Sequence, residues 1–278
     1  MKKLLIIDGH GLLFQSFFGM PKRIKNSKGE NIEAVICFLG ILRKTIDFLK
    51  PTHLLVVFDG ENTLQRKQIE NSYKSNRQSF SGCNQDESPF FQLPKIKASL
   101  NFLNICNIET KDCEADDFIA GVCCGDCYFD KIYISSNDKD FFSLIDEKIN
   151  VFCYRGKVSK IFDKQTFFET YDFESELFLT YRCFVGDKSD CISGIDGIGN
   201  ITAKKLVQKY GNLENILNNI ERIENEKIRN KINENSLKLQ KNYLLMNLKE
   251  NKIELKAENL EIKEIPMTNI ILKKLDLF

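Results

Sequence analysis

The chain opens MKKLLIIDGHGLLF (residues 1–14), where the apolar run Leu4–Ile7 stops abruptly at Asp8 and two glycines follow. A short apolar run without alternation predicts a strand buried on both faces, as in a parallel sheet. The two lysines ahead of it resemble the start of an export signal, but Asp8 cuts the run far too early. Three further runs have the same character: His53–Phe58 (HLLVVF), Lys131–Ser135 (KIYIS) and Val151–Tyr154. Between the first two, Ala34–Leu49 sets Val35, Phe38, Leu39, Leu42, Ile46 and Leu49 at helical spacing, a connection long enough for a parallel crossover. The predicted fold class is therefore α/β with a mainly parallel sheet.

Beyond about Phe173 the strand pattern fades. Helical segments dominate, punctuated by glycines from Gly186 to Gly199, which predicts a second, helical subdomain. Charged, Asn-rich sequence from Glu221 to Asn251 fits exposed helices. Ser79–Pro94 shows no period and reads as a mobile loop, of a length that marks a functional or disordered segment.

At 278 residues with 42% hydrophobic and 28% charged residues, the chain is globular and large enough for a main domain and a smaller one. The net charge of +1 carries no information on nucleic acid, so only local clustering can. Ten cysteines without an export signal predict free thiols in a reducing cytoplasm, and no segment approaches a membrane span. Cys124 and Cys127, with Cys123 alongside, form a CxxC that lacks a second ligand pair, so an incidental role is expected rather than zinc. With His10 and His53 the only histidines, most His-based catalysis is excluded as well.

The acids are informative by position. Asp8 follows the first strand, Asp59 the second, and Asp138 with Asp140 the third, and open α/β sheets build their sites beyond the carboxyl ends of strands. Glu114, Asp116 and Asp117 (EADDFIAG) fall at a helix start, and Asp187 and Asp190 (GDKSD) lie three apart, one helical turn, so that both face one way. Any one of these acids is ordinarily a cap or a strand end. So many carboxylates in one cleft would repel unless cations neutralise them, and an oxygen-only donor set suits Mg²⁺ or Mn²⁺. Two such ions roughly 3.5–4 Å apart form a clamp for phosphodiester hydrolysis.

The elements IIDGHGLLF, VVFDG, QRKQIENSYKSNR, EADD, SSNDKDFFSLI, GDKSDCISGIDGIGNITAKKL and KYGNLENIL occur in this order across nearly the whole chain. Together they resemble the 5′ nucleases of the flap-endonuclease class, especially the 5′-3′ exonuclease domain of bacterial DNA polymerase I, here as a stand-alone protein with no polymerase module expected after Phe278. The resemblance implies a PIN-like core over 1–172 with a helical arch at about 60–95, and a helical subdomain over 173–278 carrying a helix-two-turn-helix DNA-binding element. It implies one metal group from Asp8, Asp59, Glu114 and Asp116, with Asp117 nearby, and a second from Asp138, Asp140, Asp187 and Asp190, holding two Mg²⁺ that Mn²⁺ can replace.

Lys74 and Arg77 match the arch cations that act on the scissile phosphate, and Arg66 and Tyr73 lie on the same segment as DNA contacts. Bottom-up, a cationic stretch beside a carboxylate cluster is what a phosphate requires. Gly194, Gly197 and Gly199 permit tight turns before a helix starting near Thr202. Lys204 and Lys205 add charge one turn on, which makes a phosphate site; the resemblance adds a potassium ion there. Gln15, where the family often has arginine, and Cys191, where it commonly has asparagine, are departures.

The implied function is a metal-dependent 5′ nuclease acting on DNA with a 5′ flap, nick or free 5′ end, including RNA-primed ends, as a cytoplasmic monomer. The alternatives are a DNA-binding protein of this fold with little cleavage, and a PIN-type ribonuclease.

Overall fold

The computed structural model describes the chain except for residues 61–65, 67, 68, 77–79, 81, 126, 127, 249–251 and 278. β1 (Lys3–Asp8) is its hub. Leu4 and Ile6 face one side of the sheet and Leu5 and Ile7 the other, and all four are essentially inaccessible to solvent. α1 (Gly9–Phe18) starts directly on Asp8, α2 (Glu33–Leu49) follows, and β2 (His53–Phe58) returns parallel to β1. Next come α3 (Leu93–Phe102), β3 (Cys106–Glu109), α4 (Ala115–Cys124), β4 (Lys131–Ser135), β5 (Ile149–Cys153), β6 (Lys160–Phe162) and α5 (Lys164–Tyr171).

The six-stranded sheet has the order β3-β2-β1-β4-β5-β6, parallel throughout except for β6, which is antiparallel to β5. The chain thus builds outward from β1 through β2 to β3, then crosses back to lay β4 on the other side of β1. That reversal opens a crevice at the carboxyl ends of β1 and β4.

Three apolar clusters hold the molecule together. α1, α2 and α3 cover the Leu5/Ile7 face, while α4 and α5 cover the Leu4/Ile6 face. The third lies within the helical part, made of α6 (Phe178–Val185), the small hairpin β7 (Gly186–Asp187) and β8 (Ile192–Ser193), and then α7 (Asn200–Tyr210), α8 (Leu213–Asn218), α9 (Glu226–Glu234) and α10 (Ser236–Met246). The described part of the Glu221–Asn251 stretch, up to Leu248, is accordingly less exposed than its composition suggests, since Ile232, Leu239, Leu245 and Met246 are buried in this third cluster.

The structure departs from expectation at the chain end and in one loop. The last stretch leaves the helical part: Leu260 packs into the core, and Ile271 and Leu272 of α11 (Thr268–Lys274) are buried against the α2/α3 layer. Residues 88–94, expected in a mobile loop, are anchored. Buried Gln92 accepts from the Ala34 N–H at 2.9 Å and donates to Glu33 at 2.9 Å, capping α2 from a distance. The described cysteines are free thiols, and Cys127 of the CxxC lies outside the described residues. No helix is long and apolar enough to cross a membrane, among the described residues.

Candidate active site

The crevice at the end of β1 and β4 is where the acids converge. Asp8 ends β1 and caps α1: its Oδ1 accepts from the Gly11 N–H at 2.8 Å, and its Oδ2 accepts from the Ser136 hydroxyl at 2.8 Å. Burial pushes its carboxyl above the usual carboxylate range. A cavity of about 220 Å³ opens there, lined by Asp8, Gln15, Ser136, Asn137, Asp138 and Tyr154. Asp59, just past β2, accepts from the Ala115 N–H at 2.7 Å and meets His10 Nδ1 at 3.1 Å. Burial alone would raise Asp59, but those two contacts outweigh it and hold the carboxyl below its ordinary value.

Glu114 stands at the N-terminus of α4, with Asp116 and Asp117 in the first turn. Asp116 is driven well above the carboxylate range, first by burial and then by the charges of Asp138 and Asp8. Asp140 is pushed up to about 7 by burial, then by Asp138, with Asp187 and Asp190 adding repulsion. Asp138 therefore faces both sets of acids, where the sequence reading had put it in the second group with Asp140, Asp187 and Asp190. Carboxylate oxygens of Asp140, Asp187 and Asp190 lie within 4.8 Å of one another, a spacing that one cation can span. Asp187 and Asp190 come together for a different reason than a helical turn: Asp187 ends β7 and Asp190 lies in the tight turn that leads to β8, with Cys191 at φ 59°. Asparagine enters that left-handed region far more readily than cysteine does.

Two cations of the arch segment, Lys74 and Arg66, point inward. Lys74 Nζ donates to Glu114 Oε2 at 2.5 Å and lies 4.0 Å from Asp190. Arg66 pairs with Glu114 at 3.0 Å and Asp117 at 2.5 Å, and the Tyr73 hydroxyl donates to Glu114 at 3.3 Å. Arg66 and Tyr73, expected as DNA contacts, are both buried: Arg66 pairs with the acids at the start of α4, and the Tyr73 ring packs into the third apolar cluster. Arg77 lies outside the described residues.

Sequence reasoning missed Arg182 on α6. Its guanidinium lies 2.9 Å from Asp140 and also pairs with Asp187. The available signal was its position, five residues ahead of Asp187. His10 and Ser136 were likewise overlooked as partners of Asp59 and Asp8. Gln15 sits in the wall of the cavity, donating to the Tyr154 carbonyl at 2.8 Å and accepting from Asn137 at 3.2 Å.

The glycine-rich turn precedes α7, which starts at Asn200 rather than near Thr202. Gly197 has φ +78°, and a Cβ at Gly194 would stand 2.4 Å from the Phe184 carbonyl, so neither position takes a side chain. Gly199 occupies the cap position of α7 in open space. Lys205 is exposed, whereas Lys204 pairs with Asp172 at 2.9 Å.

Comparisons with known proteins agree with this architecture. The 5′-3′ exonuclease N-terminal resolvase-like domain matches residues 3–172, and the 5′-3′ exonuclease C-terminal SAM fold matches 173–268. The 5′-3′ exonuclease of Aquifex aeolicus (strain VF5) is 34% identical over 281 residues, covering 99% of this chain and 91% of that protein. DNA polymerase I of Bacillus subtilis (strain 168) is 31% identical over 237 residues, 84% of this chain but only 26% of the polymerase. Among solved structures, T5 D15 protein co-crystallised with metal ions has a TM-score of 0.74 at 20% identity, covering 89% of this chain and 90% of that one. The catalytic core of Rad2 in complex with DNA substrate has a TM-score of 0.59 at 15% identity, covering 98% and 88%. The sheet with its acid-lined crevice, the helical part and these matches together make the chain a member of the 5′-3′ exonuclease family.

Proposed function

We propose that this protein is a metal-dependent, structure-specific 5′ nuclease that hydrolyses phosphodiester bonds near 5′ ends, nicks or flaps of DNA in replication and repair. The observation that carries this reading is the meeting of acids from β1, β2, α4, β4 and the β7–β8 hairpin at one crevice, with the Lys74 ammonium reaching into it. The donor set fits hard divalent cations. It is all carboxylate, and burial with mutual repulsion raises Asp8, Asp116 and Asp140 in a way that bound cations would relieve.

We assign Asp8, Asp59, Glu114 and Asp116 to one Mg²⁺ and Asp140, Asp187 and Asp190 to a second, with Asp138 between them and Asp117 supporting the first. Mn²⁺ is the natural substitute. Bound there, the ions would supply an activated water and charge neutralisation at the phosphate. The chain's own groups do the rest. His10 and the Ala115 N–H fix Asp59, Ser136 and the Gly11 N–H fix Asp8, and Lys74, whose ammonium stands between Glu114 and Asp190, would set its charge toward the scissile phosphate together with Arg77. Arg66 and Tyr73 hold the base of the arch to α4 through Glu114 and Asp117.

The turn before α7, with Gly199 open at the helix start and Lys205 exposed, suits a duplex backbone phosphate away from the cut. The potassium ion that the resemblance implies at this turn does not fit the donor set, because the Gly194 and Asp196 carbonyls already accept from lysine ammoniums. A cytoplasmic monomer is the state proposed.

Incubation with end-labelled flap, nicked, blunt and single-stranded DNA in Mg²⁺, with products sized, tests this reading. Products cut near the 5′ end of flaps and nicks support it; absence of cleavage in both Mg²⁺ and Mn²⁺ contradicts it.

A further inference from the structure

The turn Gly194–Gly199 between β8 and α7 bends tightly and leaves the Gly194 and Asp196 carbonyls without helix or sheet partners. Two lysines from later in the chain serve them. Lys231 of α9 donates from Nζ to the Asp196 carbonyl at 2.5 Å, and Lys238 of α10 donates to the Gly194 carbonyl at 2.7 Å. Both side chains are half-buried. Room for Lys231 comes from Gly197, where a Cβ would stand 2.3 Å from the ammonium. The missing side chain at 197 therefore allows both the positive φ and the seat of the lysine.

Neighbouring groups hold the pair in register. Asn242, one turn after Lys238 on α10, donates from its buried amide to the Cys183 and Ser193 carbonyls at 3.0 Å each, fixing α10 against the hairpin and α6. Within the turn the Ile198 N–H donates to the Ile195 carbonyl at 3.0 Å, and the Ile195 N–H donates to the Phe184 carbonyl at 2.8 Å. The carbonyls of residues 194, 195 and 196 are thus all engaged, two of them by fixed positive charge. A free monovalent cation seated on these carbonyls would have to displace an ammonium or lie at short range from one, an unfavourable arrangement.

We propose that Lys231 and Lys238 are built-in counter-cations of this turn, so that it is pre-shaped for a phosphate and takes no monovalent metal ion. The role in DNA binding rests on the turn being a duplex contact; the shaping of the turn does not. The ammoniums also place fixed positive charge at the turn, which favours an anionic ligand.

Hydrogen exchange of peptides spanning residues 193–200, measured without DNA in KCl, NaCl and LiCl at equal ionic strength, tests the proposal. Duplex binding is measured alongside. The wild-type turn should exchange at the same rate in all three salts, and any duplex affinity should vary by less than about twofold. Lys231→Met with Lys238→Met keeps the aliphatic stems, and should speed exchange of the turn about tenfold or more, the scale of losing a charge-assisted hydrogen bond. Lys231→Arg with Lys238→Arg keeps the charges and should restore most of the protection, which separates loss of the cations from general unfolding. Slower exchange in potassium for the wild type, or unchanged exchange in the Met variant, overturns the proposal. A turn insensitive to salt in a protein that binds no duplex would instead defeat the DNA reading while leaving the counter-cation role standing.

Discussion

Arg182 and Asp140 are paired at 2.9 Å, and the same guanidinium grips Asp187 while its buried Nε finds no partner among the described residues. Arg182 thus neutralises the acid group that the proposal gives to a second Mg²⁺, with one donor left unmet. Breaking a buried pair from one side leaves charge uncompensated, so Arg182→Leu should destabilise the metal-free protein by roughly 3 kcal/mol. Saturating Mg²⁺ should recover more of the melting temperature than it adds to the wild type. Equal Mg²⁺ increments in both proteins would show that Arg182 and the ion do not share a site.

Lys74 is held by Glu114 at 2.5 Å, within reach of both groups of acids. If it acts as charge develops on the phosphate, Lys74→Ala should lower the saturated single-turnover rate by about 10²-fold or more. Loss confined to KM would make it a binding residue only.

The pH response follows from Asp140, pushed up to about 7 chiefly by burial. Between its ordinary 3.8 and that value, the unfolded chain releases a proton that the folded chain keeps, so Asp140 lowers metal-free stability as pH rises through this window and changes it no further above. Mg²⁺ needs the carboxylate. The Mg²⁺-induced rise in melting temperature should therefore be larger at pH 8 than at pH 5, and Asp140→Asn should flatten the difference. A pH-independent Mg²⁺ increment in the wild type would contradict this.

At the turn before α7, Lys205 is exposed while Lys204 is tied to Asp172 at 2.9 Å. Lys205→Ala should reduce the slope of log K against log salt by about one for duplex DNA of any sequence, and Lys204→Ala by less. Equal slopes for wild type and Lys205→Ala would remove that phosphate contact.

Much of this was legible in the sequence because buried parallel strands announce themselves as apolar runs, and because acids at strand ends can only point to one edge of the sheet. His53–Phe58 and Lys131–Ser135 are strands at those bounds. β3 escaped because Cys106–Glu109 is short, partly exposed and mixed in polarity, an edge strand with little pattern. What could not be read was pairing across the fold. Nothing local says that Arg182 meets Asp140, that Gln92 caps α2, or that Lys231 reaches Asp196, since those contacts join residues made neighbours only by packing. Arg66 and Tyr73 show the same limit: the resemblance implied DNA contacts, while the fold seats the Arg66 guanidinium against Glu114 and Asp117 and the Tyr73 ring in the third apolar cluster with its hydroxyl donating to Glu114.

The central claim is that the convergent carboxylates carry out metal-dependent hydrolysis while other surfaces hold the DNA. Its most direct test is single-turnover cleavage of a labelled 5′-flap substrate by wild type and by Asp138→Ala with Asp140→Ala, in Mg²⁺ and in EDTA, with binding followed in parallel. The account predicts wild-type cleavage that EDTA abolishes, and a double variant that keeps substantial DNA affinity but loses nearly all cleavage. Near-normal turnover by the double variant in Mg²⁺, or wild-type cleavage that persists in EDTA, would contradict it.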